Sequence, residues 1–225
     1  MKIGIIAALD CEMVEFCKDF GAVESKYFGI YEGKCGKHSV YISLVGVGKV
    51  NAAANTQRLI DLFDVDYIIN SGVAGCTCRH LGVCDVVISE SLTYHDFSPI
   101  NLLDKYAPGS SVFKADEGLV SLAVAACKNI DDETFKFDTG MIVTGDQFID
   151  DSKAVERFRN EFDALCTEME GAAVAHVCLL NKVPFVVIRA MSDNADEQAD
   201  MSFDEMAEKA AKRASFVSTY IITNL

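Results

Sequence analysis

The sequence predicts an α/β fold in which a mostly parallel sheet is layered with helices. Short apolar runs rich in β-branched residues alternate with stretches of helical period. Several of these runs end in small residues, as in "LVGVGK" and "NSGVAG". No linker, repeat or low-complexity segment divides the 225 residues, 50% of which are hydrophobic, so one domain spanning 1–225 is the simplest organisation.

The first run, Lys2 to Leu9, is a strand with β-branched Ile3, Ile5 and Ile6. Asp10 is expected to cap a helix that sets Met13, Phe16, Cys17 and Phe20 on one face. "YFGIYEG" and "HSVYISLVG" form two strands joined by the turn "KCGK". A helix from Lys49 to Phe63, the buried strand "DYIINSG" and the strand-rich "VCDVVISESLTYHD" follow. Residues 97–114 hold two of the three prolines and no clear period, which predicts a loop. Then come the helical "ADEGLVSLAVAACKNI", the strand "TGMIVTG", a helix from Ser152 to Phe162 and "ALCTEME". A helix from Gly171, the strand "PFVVIRAMS" and a last helix opened by a Ser202–Glu205 capping box complete the chain.

Composition excludes several classes of function. A net charge of −14 argues against a nucleic-acid partner, which calls for a basic face. No run approaches the ~18 apolar residues of a membrane span. The opening "MKIGIIAALDCEM" carries one basic residue and meets an acid by position 10, unlike a secretory signal. Nine cysteines without such a signal fit a reducing compartment and free thiols. Cys76, Cys78, His80 and Cys84 are soft ligands, but they crowd too closely for paired CxxC knuckles, so no metal is expected. "GVGKVN" is not a phosphate loop, because Ser43 and Val50 stand where glycine and Ser or Thr are required. Asn51 likewise breaks the dinucleotide fingerprint.

Acids recur at strand ends as Glu12, Asp146, Glu170 and Asp193. In open parallel sheets ligands bind beyond the carboxyl ends of the strands. Separated carboxylates around one pocket suit glycosidic cleavage, one as acid for the leaving group and one as base for water.

The ordered set "MKIGIIAALDCEM", "GVGKVNAAANTQ", "NSGVAG", "TGDQFI", "TEMEGAAVAHVC", "PFVVIRAMSDNAD" and "MSFDEM" resembles the 5′-methylthioadenosine/S-adenosylhomocysteine nucleosidases of the nucleoside phosphorylase superfamily. The resemblance runs through essentially the whole chain. It implies a single-domain phosphorylase/hydrolase-like fold, a mixed sheet forming a distorted barrel flanked by helices. It also implies a homodimer that needs no metal or organic cofactor, while the cysteine usage noted above predicts a cytoplasmic location. The substrate would be an adenine nucleoside with a thioether at C5′, cleaved by water at C1′.

Carried onto this chain, the resemblance makes Asp193 the general acid that protonates the departing adenine, and Glu12 the base that activates water. Glu170 would accept hydrogen bonds from the ribose hydroxyls, with Met169 packed against the sugar. Phe148 would stack on the adenine, and the Ile149 backbone would pair with its edge. Ser192 would orient the purine or Asp193, and Arg189 either orients water near Glu12 or forms a buried ion pair. Val47, Met169 and Phe203 would wall the alkylthio group, and Gly75 would let backbone approach the reacting centre. Glu168 is expected to form a structural ion pair. Val73 departs from the pattern, since some members carry a serine there that touches water. Residues 97–114 follow the pattern least, in the region where a partner subunit often completes the thioether pocket.

Two related activities compete. A purine nucleoside phosphorylase would place arginines near the first strand and before the "SG" turn, where this chain has Ala8, Leu9 and Asp10, then Ile69 and Asn70. An aminofutalosine nucleosidase differs mainly in a bulkier C5′ group. A non-catalytic nucleoside-binding protein would not retain Glu12 and Asp193 together.

Overall fold

The computed structural model describes residues 1–193, 195 and 199–225, the side chains of 199–205 excepted. Strand β1 (Lys2–Ala7) runs into helix α1 (Asp10–Phe20), followed by β2 (Val23–Glu24), β3 (Ile30–Cys35) and β4 (His38–Leu44). Helix α2 (Lys49–Phe63) leads to β5 (Tyr67–Cys76), β6 (Val86–Tyr94), α3 (Leu102–Lys105), β7 (Phe113–Lys114) and α4 (Glu117–Lys128). Then come β8 (Phe137–Thr144), α5 (Ser152–Phe162), β9 (Ala164–Glu168), α6 (Gly171–Asn181), β10 (Phe185–Asp193) and α7 (Ala199–Thr223).

These strands form one sheet in the order β10-β6-β8-β9-β5-β1-β4-β3-β2, with β7 on β6. Strand β10 also pairs with β5, so β5, β10, β6, β8 and β9 close into a ring, the distorted barrel that the family resemblance implied. Among the described residues five pairings are parallel and five antiparallel. The sheet is therefore mixed, which corrects the mostly parallel layer read from strand–helix alternation. Periodicity locates strands, but it carries no information about which strand each one meets or in what sense.

Strand β1 shows why the apolar runs are continuous. Ile3, Ile5 and Ala7 join a core beneath α1, α4 and α7, while Ile6 and Ala8 join a second core around α2 and α6. A strand covered on both faces has no polar side to alternate with. Helix α1 buries Met13, Phe16 and Phe20 as its period predicts, and Cys17 is half-buried.

Register shifts interrupt β6–β8, β8–β9 and the end of β10. Such bulges bend strands and let a sheet curl. The one between Met191 and Asp193 also affects the site described below. In a regular strand Ser192 and Asp193 would point to opposite faces; here the Ser192 hydroxyl lies 2.7 Å from the Asp193 carboxylate.

Two local expectations change. Residues 97–114 are not wholly loop, because they contain α3 and the short strand β7, which is zipped to β6 through Leu92 and Phe113. Elements of four and two residues are too short to show a period. Asp10 is the first residue of α1, and Leu9 takes the capping position. The Ser202–Glu205 capping box lies outside the described side chains.

Candidate active site

Glu12 caps α1 from within the helix. Its Oε2 accepts the N–H groups of Ala8 at 2.7 Å and Leu9 at 3.0 Å, and its Oε1 accepts the N–H of Val73 at 2.9 Å. One carboxylate thus ties the β1–α1 turn to β5. Burial pushes the Glu12 carboxyl above its ordinary range, against the lowering influence of Arg189 and the three N–H donors. A carboxylate with raised proton affinity is a better base.

Arg189, on β10, is the centre of the buried electrostatics. Its guanidinium pairs with Glu168, bonds Asn70 Oδ1 at 2.8 Å and lies 3.4 Å from Glu170 Oε2. Burial alone would lower its proton affinity, but Glu168, Glu170 and Glu12 outweigh that and raise it. Glu168 also receives the N–H groups of Glu170 at 3.0 Å and Gly171 at 2.6 Å, where the positive end of α6 favours an anion. The expected ion pair of Glu168 is therefore present. The strand ends at Glu168, yet Glu168 and Glu170, two residues apart as neighbours on one strand face would be, both turn toward Arg189.

Glu170 occupies the N-cap of α6, and its Oε1 accepts the N–H of Gly48 at 2.9 Å. Gly48 sits at φ 100°, a conformation natural to glycine, in the turn that enters α2. Burial pushes the Glu170 carboxyl up to about 7; Glu168 adds to the rise and Arg189 opposes it. A folded-state value above the unfolded 4.5 means that the folded protein holds a proton the unfolded chain has released. The associated stability is complete below 4.5 and lost as pH rises toward 7. Glu170→Gln should therefore flatten the fall in unfolding free energy between pH 4.5 and about 7, measured by urea titration. An unchanged slope would exclude Glu170 as its source.

Asp193 ends β10. Its Oδ1 accepts the N–H of Ala195 at 2.7 Å, and Ser192 Oγ lies 2.7 Å from Oδ2 and 3.3 Å from the Ala74 carbonyl. The hydroxyl has one proton, so when it donates to Ala74 its oxygen can accept from a protonated Asp193. The Gly75 backbone passes close by: a Cβ there would stand 2.9 Å from Asp193 Oδ1.

These groups surround a cavity of about 280 Å³. Of the residues singled out from the sequence, Glu12, Val47, Gly75, Phe148, Ile149, Met169, Glu170, Ser192 and Asp193 line it. Val73 lines it as well, with its N–H committed to Glu12. Arg189 stands behind the wall, and the Phe203 side chain lies outside the described residues. Asp146 faces away and accepts the Lys49 N–H at 2.8 Å. Ala8, Leu9, Ala74, Gln147 and Thr167 also line the cavity, and none of them was singled out from the sequence although each lies within a quoted motif. Small or neutral side chains carry no chemical signal.

The cysteine-rich segment lies elsewhere. His80 Nε2 pairs with Asp138 at 2.8 Å, while Cys76 Sγ and Cys78 Sγ approach to 3.7 Å. Among the described residues no group of three or more His, Cys, Asp or Glu converges as a metal site.

A family model described as the phosphorylase superfamily matches residues 2–223. The chain belongs to the phosphorylase superfamily. Within that superfamily it is 38% identical over 232 residues to a 5′-methylthioadenosine/S-adenosylhomocysteine nucleosidase of Geobacillus sp. strain WCH70, covering 100% of this chain and 99% of the relative. Among solved structures it resembles the nucleosidase of that name from Neisseria meningitidis in complex with methylthio-immucillin-A. The TM-score is 0.91 at 35% identity, with 100% of this chain and 99% of the other covered. A futalosine hydrolase of Helicobacter pylori strain 26695 also superimposes, with a TM-score of 0.91 at 31% identity over 100% and 98% of the two chains. The superfamily fold is thus shared across more than one nucleoside hydrolase.

Proposed function

We propose that this protein hydrolyses the N-glycosidic bond of 5′-methylthioadenosine and S-adenosylhomocysteine, releasing adenine and the 5-thio-ribose. The observation that carries this reading is that Glu12, Glu170 and Asp193 line one cavity, on a chain related to such nucleosidases along its whole length. Asp193 donates a proton to the purine, so adenine leaves neutral while the sugar becomes oxocarbenium-like. Glu12 draws a proton from the attacking water. A carboxylate offers about four acceptor sites, and three of those on Glu12 are filled by N–H groups, which leaves one for the water. That arrangement answers the loss of a hydroxyl at Val73, because Glu12 itself is fixed firmly enough to position the nucleophile.

Glu170 binds the 2′- and 3′-hydroxyls. Two of its roughly four acceptor sites face Gly48 and Arg189, leaving a pair toward the sugar. Its charge favours the cationic ribose of the transition state. Phe148 stacks on the base and the Ile149 backbone reads its edge. Met169 and Val47 border the sugar and the alkylthio group, as Phe203 does in the family pattern, and Ser192 steadies Asp193. Arg189 holds Glu168 and Glu170 in place.

Phosphorolysis fits poorly. Among the described lining residues four are carboxylates and none is a cation. At roughly 5 Å and an effective dielectric near ~20, each pair of like charges costs about 3 kcal/mol. In phosphate-free buffer the protein should release adenine from methylthioadenosine at its full rate. Strict dependence on added phosphate would reverse the assignment. The likeness to a futalosine hydrolase favours adding a substrate with a bulkier C5′ group to the same assay.

Residues 1–225 are inferred to form one nucleosidase domain, supported by the single sheet that takes in every strand described. A homodimer is also inferred: α2 and α6 pack together and leave Val50, Leu62, Leu179 and Leu180 exposed, an apolar surface suited to a second copy. Nine free cysteines support a cytoplasmic location. Among the described residues no helix is long and apolar enough to cross a membrane.

A further inference from the structure

A second cavity of about 280 Å³ shares no lining residue with the first. Its wall includes Cys76, Cys78, Arg79, Ser152 and Arg159. Cys76 ends β5, and its Sγ lies 3.7 Å from Cys78 Sγ and 3.6 Å from the carbonyls of both Cys78 and Leu81. With those acceptors around it, Cys76 keeps its proton. The Arg159 guanidinium donates to the Thr77 carbonyl between the two cysteines, which places a positive charge beside the pair. Cys78 is only half-buried and opens onto the cavity. We propose that Cys76 and Cys78 form an oxidisable dithiol, which a small hydroperoxide entering this cavity converts to a disulfide.

The hydrogen bond shared with Cys76 holds the Cys78 thiol below its ordinary range and Cys76 above it, so Cys78 is the nucleophile. The Cys78 thiolate attacks one peroxide oxygen. An S–O bond forms, the O–O bond breaks, and the departing oxygen takes up a proton as an alcohol or water. Cys76 then attacks Cys78 Sγ; the S–S bond forms, the S–O bond breaks, and the leaving hydroxide takes the Cys76 proton as water. Two thiols are oxidised by two electrons and one peroxide is reduced.

Closing the pair draws the sulfurs from 3.7 Å to about 2.05 Å, at the end of the strand that carries Gly75. Gly75 pairs with Thr167 and runs hard against Asp193, so a shift there moves the catalytic wall. Peroxide should thereby lower nucleoside hydrolysis reversibly. This second part rests on the proposed function, whereas disulfide formation does not.

The test treats reduced protein with hydrogen peroxide, alkylates the remaining thiols and digests with trypsin. One peptide, 59–79, contains Cys76 and Cys78 and no other cysteine. It should lose two hydrogen atoms and escape alkylation, and dithiothreitol should restore both thiols. Adenine release should fall several-fold in parallel and recover with reductant. Cys78→Ser should resist peroxide, while Cys17→Ser on α1 should behave as the parent does. Finding both thiols alkylated after treatment, or Cys78 carried to sulfinic acid without a disulfide, would overturn the dithiol. A Cys78→Ser enzyme as peroxide-sensitive as the parent would overturn its link to catalysis. Failure of the nucleosidase reading would show separately, as no adenine release from untreated protein.

Discussion

Asp193→Asn should reduce turnover on methylthioadenosine by ~10²-fold or more, with substrate binding still measurable. The amide has nearly the shape of the acid and can still bond Ser192 and the Ala195 N–H region, so the cavity should keep its form. It cannot pass a proton to the purine, and adenine would have to leave as an anion. Steady-state adenine release and calorimetric binding of a non-hydrolysed analogue separate the two effects. Unchanged turnover would remove Asp193 from the acid role, and loss of binding along with turnover would make it a recognition residue.

Arg189→Met should be the most damaging substitution for stability, costing about 3–5 kcal/mol near neutral pH. Glu168, Glu170 and Glu12 are buried around this one cation. Without it, each carboxylate must either sit uncompensated in a poor solvent or bind a proton. The sign of the pH effect follows. Burial already raises Glu12 and Glu170 against the opposing influence of Arg189, so without that cation both rise further, and the variant should recover stability as pH falls and lose it as pH rises. Urea unfolding of parent and variant near neutral pH and in mild acid measures both quantities. A difference below about 1 kcal/mol at neutral pH would show that the carboxylates find other partners.

The site was legible where side chains announce chemistry and the family pattern orders them. Glu12, Glu170 and Asp193 belong to quoted motifs, and the structure brings all three to one cavity. The strands were legible too, because burial on both faces leaves long apolar runs such as Lys2 to Leu9. The pairing of the strands was not. Nothing in "TGMIVTG" or "ALCTEME" says that β8 lies beside β6 or that β9 crosses the end of β5, since those contacts are settled by barrel closure. A buried ion pair was one reading for Arg189 and the expectation for Glu168, but that the two meet each other was hidden. Arg189 reads as one polar residue in an apolar strand, and only the fold shows it meeting Glu168 from β9 and Asn70 from β5. The Gly48 donor was hidden for another reason, since a backbone N–H has no letter of its own.

Ring closure gives the strands unequal exposure to unravelling. β5 and β10 each have neighbours on both flanks, so neither can peel from a free margin without opening the ring. β2 lies at the outer margin with a single two-residue pairing to β3. The outer hairpin can fray by itself, whereas the strand ends bearing Gly75 and Asp193 come apart only with the molecule as a whole. Gly75 and the body of β10 thus sit on backbone that opens late, whereas Val47 and Phe148 border the cavity from turns outside the ring.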